Sequence, residues 1–122
     1  MAEEEVSDAE QLEQLSIVAT ATNGIHVLTV AGEIDHHTGD ALSQALDLSG
    51  TSRPHVVVDL QQVAFMDSSG INVLIAAHRA LSEAGGWLRL AGPTGPVLRT
   101  LQLVGLDTVI DCHETLDQAL AD

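Results

Sequence analysis

The side chains of this chain that could do chemistry fall in five places. Asp35-His36-His37 sets one carboxylate beside two imidazoles, the donors of a zinc or manganese site. Such a site needs three or four converging ligands. Cys112 and His113 are further donors, yet nothing in the spacing brings them to this stretch. A metal-dependent phosphoesterase built on the triplet would also need further acidic motifs, for which the chain has no room. Polar loop and helix-capping residues are the simpler reading. Ser68, His78 and Asp67 make a hydrolase triad on paper only. His78 lies ten residues into the helix that Ser68 opens, so it points away along the axis. Adjacent Asp67 and Ser68 cannot line up nucleophile, base and orienting acid, and no Gly-x-Ser-x-Gly turn is present. Gly92-Pro93-Thr94-Gly95-Pro96 precedes a helix but lacks the phosphate-loop lysine and glycine spacing, so turn chemistry explains it. Cys112 has no CxxC partner and no basic neighbour beyond His113, a poor setting for a thiolate. Asp67-Ser68-Ser69-Gly70 remains. It opens the longest helical pattern, where Ser68 is expected to act as N-cap. On local physics alone, a capped helix accounts for it.

The elements that must position these residues are legible from periodicity. Residues 16–20 read as a strand, Asn23-Gly24 as a tight hairpin turn, and residues 25–30 as the return strand. Thr38 can cap a helix over residues 39–47, with Ala41, Leu42, Ala45 and Leu46 as its apolar stripe. Residues 55–60, a β-branched run, suit a central strand covered on both faces. A helix is expected over residues 69–83. Gly70, Val73, Leu74, Ala77 and Leu81 fall on one side, and Asn72, Ala76, Arg79 and Glu83 on the other. Gly85-Gly86 stops it. A strand at residues 87–91, a helix at 96–103, a short strand at 108–110 and a helix at 114–121 complete the pattern. Alternation of this kind predicts an α/β fold: a mixed sheet of four to five strands flanked by about four helices.

With 122 residues the chain makes one ordinary domain, and 45% hydrophobic residues can furnish its core. Phe65 and Trp87 are the only aromatics counted among Phe, Trp and Tyr, so that core must be aliphatic. Eighteen acids stand against four arginines, and the formal net charge is −14. Such a surface repels nucleic-acid phosphates and anionic membranes. No apolar run approaches the roughly 18 residues of a membrane span, and the N-terminus lacks the pattern of a signal peptide. The single cysteine can form no internal disulfide. A soluble cytoplasmic protein is expected. Residues 1–14 hold six of the acids and no base, so they read as an acidic, disordered tail preceding one domain over residues 15–122.

Three stretches together resemble the anti-sigma factor antagonists of the STAS-domain family. They are Gly32-Glu33-Ile34-Asp35-His36-His37-Thr38, the strand Val56-Val57-Val58-Asp59-Leu60, and Phe65-Met66-Asp67-Ser68-Ser69-Gly70. Gly85-Gly86 and Leu103-Val104-Gly105-Leu106 also sit at family spacing. The resemblance implies a STAS fold and a partner-switching cycle. In such a cycle the unphosphorylated antagonist binds an anti-sigma factor and frees the sigma factor. The anti-sigma factor is also a serine kinase of the histidine-kinase-like ATPase fold, and a PP2C-type phosphatase resets the switch. Carried over by position, Ser68 is the phosphoacceptor and Asp35 the acidic residue of the docking loop. The partner surface implied includes His36 and Thr38 from that loop, Asp67, Ser69 and Gly70 from the motif, and Asn72, Ile75, Ala76 and Arg79 along the helix. Asn72 departs from the small residue common at its position. No metal, cofactor or catalytic turnover is expected. Asp35 is expected to serve recognition more than stability. Two other readings are a STAS subunit of a stressosome or lipid-transport complex and, remotely, a metal-dependent phosphoesterase.

Overall fold

A computed structural model describes residues 15–48 and 50–121. The acidic segment 1–14 lies outside the described residues. β1 (Leu15–Thr22) turns through Asn23-Gly24 into β2 (Ile25–Ile34), and both turn residues take positive φ, 52° and 81°. That conformation is what the tight hairpin demands, and it costs Gly nothing and Asn little. α1 (Gly39–Ala45), β3 (His55–Met66), α2 (Ser68–Glu83), β4 (Trp87–Ala91) and α3 (Gly95–Leu103) follow. The chain ends in a 3-10 turn (Leu106–Thr108), β5 (Asp111–His113) and α4 (Leu116–Leu120). The sheet order is β1-β2-β3-β4-β5. β1 is antiparallel to β2, and every later pairing is parallel. The expected α/β architecture is therefore present, with five strands and four helices among the described residues.

β3 is the centre of the molecule. Val56, Val57, Val58, Asp59 and Leu60 are all buried, so both faces of the strand are covered. One face carries the main core. Val56, Val58, Leu60, Leu88 and Leu90 pack there with Leu42 of α1, Leu74 and Leu81 of α2, and Val97 and Leu101 of α3. The opposite face is smaller, where Val57 and Ala91 meet Ala119, Leu116 and Leu120 of α4. Arg89 fastens that layer. Its guanidinium donates to the carbonyls of Ala119 (2.8 Å) and Ala121 (3.2 Å), and lies 3.8 Å from the centre of the Trp87 ring. Trp87 in turn stacks on His55 at 4.7 Å.

β1 and β2 run longer than expected, to Thr22 and Ile34. Two further boundaries differ from expectation for reasons visible in the hydrogen bonds. The last strand lies at residues 111–113 and not at 108–110. Gly105, at φ 74°, ends α3, and the Thr108 hydroxyl donates to its carbonyl at 2.6 Å. This closes a 3-10 turn over residues that looked like a strand, and Ile110 enters the core. The last helix begins later than expected because Thr115 caps it, its hydroxyl accepting from the Gln118 N–H at 3.1 Å.

β3 also runs six residues past its apolar run. The pairing of β2 with β3 slips twice, between Thr29 and Ala31 and between Gly32 and Glu33. β3 carries the extra residue each time. Such bulges re-aim side chains. Here the burial after Val63 goes exposed, exposed, buried, so Phe65 faces solvent while Met66 enters the core.

Candidate functional site

β2 and β3 are parallel, and Ile34 pairs with Met66. The next residues, Asp35 and Asp67, therefore leave the sheet side by side at its C-terminal edge. A hydrogen bond from the Asp67 N–H to the Ile34 carbonyl (3.1 Å) joins the two exits. Ligand and partner sites in open α/β sheets form outside this edge. The sequence placed Asp35 and Ser68 33 residues apart, and the register brings their loops together.

The helix cap is Asp67, not Ser68. Asp67 has extended backbone angles, and its carboxylate accepts the Ser69 N–H at 2.8 Å. Ser68 is the first helical residue and Ser69 the second. Carboxylates are as good as hydroxyls at this position and also complement the positive end of the helix. The consequence for Ser68 is direct. Its side chain is exposed, and its hydroxyl has no hydrogen-bond partner among the described residues. A structural duty expected of Ser68 thus belongs to its neighbour. Asp67→Ala is expected to cost about 0.5–2 kcal/mol of stability, whereas Ser68→Ala should stay within about 0.5 kcal/mol of wild type. Thermal melts of both variants check this ranking.

Gly70 and Thr38 are also scaffolding. Gly70 is buried, and a Cβ there would lie 2.6 Å from Met66 Cγ and 2.7 Å from Ile34 Cγ2. Only glycine lets the first turn of α2 sit this close to the strand ends. Thr38 occupies the N-cap position of α1 but makes no side-chain cap. Its hydroxyl turns back to donate to the Glu33 carbonyl at 2.8 Å and accepts the Asp35 N–H at 2.9 Å. Thr38 is buried as a result. α1 is two residues shorter at its end than the periodicity predicts, closing at Ala45.

Asp35 is partly structural as well. Its Oδ1 accepts the N–H of His37 at 2.9 Å and of Thr38 at 3.1 Å, holding the turn into α1. Partial burial pushes its carboxyl pKa up, but hydrogen bonds from the His37 and Thr38 N–H groups and the Thr38 hydroxyl outweigh this and hold it below its ordinary value of 3.8. A depressed folded-state value means that ionised Asp35 stabilises the turn above the ordinary value and that this contribution is lost as pH falls through the depressed one. Asp35, expected to serve recognition more than stability, therefore also holds this turn together. Asp35→Ala should melt measurably lower, and Asp35→Asn, which keeps one acceptor oxygen, should recover part of the loss. A calorimetric melt of the pair at pH 7 reads the difference.

The remaining residues divide by exposure. His36 and His37 are exposed, their rings 4.0 Å apart. Asn72, Ala76 and Arg79 lie exposed along one face of α2, as the helical spacing predicts. Ile75 is half-buried and packs against the core. Beside this face, a groove of about 260 Å³ separates α1 from α2, walled by Val73, Ala76 and Ala80 opposite Ser43, Gln44 and Asp47. His78 is half-buried ten residues along α2 from Ser68, and its Nδ1 is buried without a hydrogen-bond partner among the described residues. Among the described residues, no three His, Cys, Asp or Glu side chains are grouped to hold a metal ion. Burial, and then the nearby charges of Asp107 and Asp111, push the Cys112 thiol up to about 11, so it is protonated at neutral pH. No helix among the described residues is long and apolar enough to cross a membrane.

An exposed serine opens α2 beside the Asp35 turn on a five-stranded mixed sheet, and comparison with known proteins identifies the fold. The STAS domain family model matches residues 16–119, and the chain belongs to that family. Its relatives are named as anti-sigma factor antagonists. One, the anti-sigma F factor antagonist of Paenibacillus polymyxa, is 30% identical over 101 residues, covering 81% of this chain and 86% of that protein. Another, the anti-sigma-F factor antagonist RsfB of Mycobacterium tuberculosis, is 31% identical over 110 residues, 88% of each chain. The crystal structure of an anti-sigma factor antagonist from Mycobacterium paratuberculosis superposes with a TM-score of 0.80 at 32% identity, covering 88% of this chain and 92% of that one.

Proposed function

We propose that this chain is an anti-sigma factor antagonist of a partner-switching pathway, with Ser68 as the switch. Unphosphorylated, it binds an anti-sigma factor and so releases the sigma factor. Phosphorylated on Ser68 by the same anti-sigma factor, a serine kinase of the histidine-kinase-like ATPase fold, it lets go. A PP2C-type phosphatase restores the free hydroxyl. The chain itself turns over no substrate, needs no cofactor and acts in the cytoplasm. One observation carries the reading: Ser68 is exposed and unencumbered, because Asp67 has taken the capping duty from it. A hydroxyl that holds nothing together can be modified without cost to the fold. The antagonist names of the relatives supply the kind of partner.

The docking surface then comprises Ser68 and Ser69, the exposed His36 and His37 of the adjacent turn, and the α2 face of Asn72, Ala76 and Arg79, with Ile75 at its edge. Asp35, Thr38, Asp67 and Gly70 act mainly by fixing that surface. The test is release of the sigma factor. Unmodified protein added to a preformed complex of the cognate anti-sigma factor and sigma factor should displace the sigma factor stoichiometrically. An inert result with protein shown by mass spectrometry to be unphosphorylated would contradict the proposal.

A further inference from the structure

A second groove, of about 440 Å³, opens between the end of β3 and the outer side of α3. Phe65 and Met66 form one wall, and Pro96, Arg99 and Thr100 the other. Phe65 is the only phenylalanine of the chain and is 47% exposed, turned outward by the bulges of β3. Pro96, Arg99 and Leu103 recur at helical spacing on this side of α3, and Leu103, one turn beyond Arg99 and outside the groove itself, is 79% exposed. The inward side of the same helix, Val97 and Leu101, is already fully buried in the core. The outer side of α3 thus sets the apolar Pro96 and Leu103 around Arg99, all three exposed.

This groove is continuous with the switch. Phe65-Met66 runs straight into Asp67-Ser68, so both open at one edge of the sheet. On the antagonist reading above, we infer that the groove is a second half of the docking surface, receiving an apolar segment of the anti-sigma factor that carries a carboxylate opposite Arg99. Charge selects this occupant. The chain has 18 acids and four arginines. Arg89 is engaged under α4, Arg53 lies at the far end of α2 against Gly85, and Arg79 lies on the exposed face of α2. Arg99 thus sets a positive charge beside an apolar trough on a strongly acidic protein. A second copy, also at −14, meets long-range repulsion, whereas a partner segment with a single acid beside apolar residues matches both features.

The test is the affinity of the anti-sigma factor for wild type, Arg99→Glu and Leu103→Ser, by titration calorimetry, with melting curves and sedimentation equilibrium of each free protein. Both side chains are exposed, so both variants should melt like wild type. Each should bind about tenfold more weakly, and Arg99→Lys should recover most of the loss. Wild-type affinity in both variants would overturn this inference while leaving the antagonist reading intact. Self-association of the wild type that the two variants abolish would overturn it in favour of a second copy. Failure of the wild type itself to bind would overturn the antagonist reading, and this inference with it.

Discussion

Ser68→Asp is expected to weaken binding to the anti-sigma factor by about a hundredfold or more while leaving the fold as stable as wild type. Two effects of the new charge compete. At the first position of α2 a negative charge meets the positive end of the helix, which is worth about 0.3–1 kcal/mol in favour of the fold. Asp67 already occupies the cap, and its neighbouring charge takes back part of that gain. The net effect on folding is therefore close to zero. At the centre of a dry interface the same charge loses its water without gaining a partner, at a cost of several kcal/mol. The interface effect wins by a wide margin. Ser68→Ala introduces no charge and removes no hydrogen bond, so it should bind like wild type and resist the kinase. Ser69→Ala should remain a phosphorylation substrate. Equal binding by Ser68→Asp and wild type would remove Ser68 from the interface.

Gly86→Ala is expected to destabilise the domain by about 3 kcal/mol, lowering its melting temperature by roughly 10 °C or more. Gly85 and Gly86 terminate α2 in a Schellman arrangement. The Gly85 N–H bonds the Ser82 carbonyl at 3.0 Å and the Gly86 N–H the Leu81 carbonyl at 2.8 Å, with Gly85 at φ 84°. Gly86 then passes directly over Pro54. A Cβ would fall 1.8 Å from the Pro54 carbonyl oxygen and 2.6 Å from its carbon. Those atoms are backbone, and the same oxygen accepts the Trp87 N–H at 3.0 Å, the bond that starts β4 against β3. Relief would have to move one strand or the other. Gly70→Ala also makes short contacts, but with the buried side chains of Met66 and Ile34 and not with backbone. Its penalty should be smaller, and a thermal melt of the two variants side by side checks the order.

The longer elements were legible because their apolar periods agree with their burial. The α2 pattern of Gly70, Leu74, Ala77 and Leu81 is buried, and Asn72, Ala76 and Arg79 are exposed, as a 3.6-residue repeat requires. The β-branched run at residues 56–58 is covered on both faces, as its lack of alternation implies. What escaped was set by interactions that have no period. Gln61-Gln62 looks like the end of a strand, yet the bulges carry β3 on to Met66 and turn Phe65 outward. Asp67 and Ser68 are both good caps by type, and only the geometry of the strand end decides between them. The Asp35 turn likewise follows from a carboxylate folding onto its own backbone, which composition cannot distinguish from a carboxylate facing a partner. The pairing of the two loops was foreseen through family resemblance, and the parallel register of Ile34 with Met66 gives it a physical basis.

One titration tests the Ser68 switch most directly. The protein is phosphorylated by its anti-sigma factor with ATP, the modified residue is mapped by mass spectrometry, and the affinity of the anti-sigma factor for modified and unmodified protein is measured. Phosphate is expected on Ser68 alone, with a loss of affinity of about a hundredfold or more and an unchanged melting temperature. Phosphate on Ser69 or Thr38, or equal affinity of the two forms with Ser68 fully modified, would contradict the Ser68 switch.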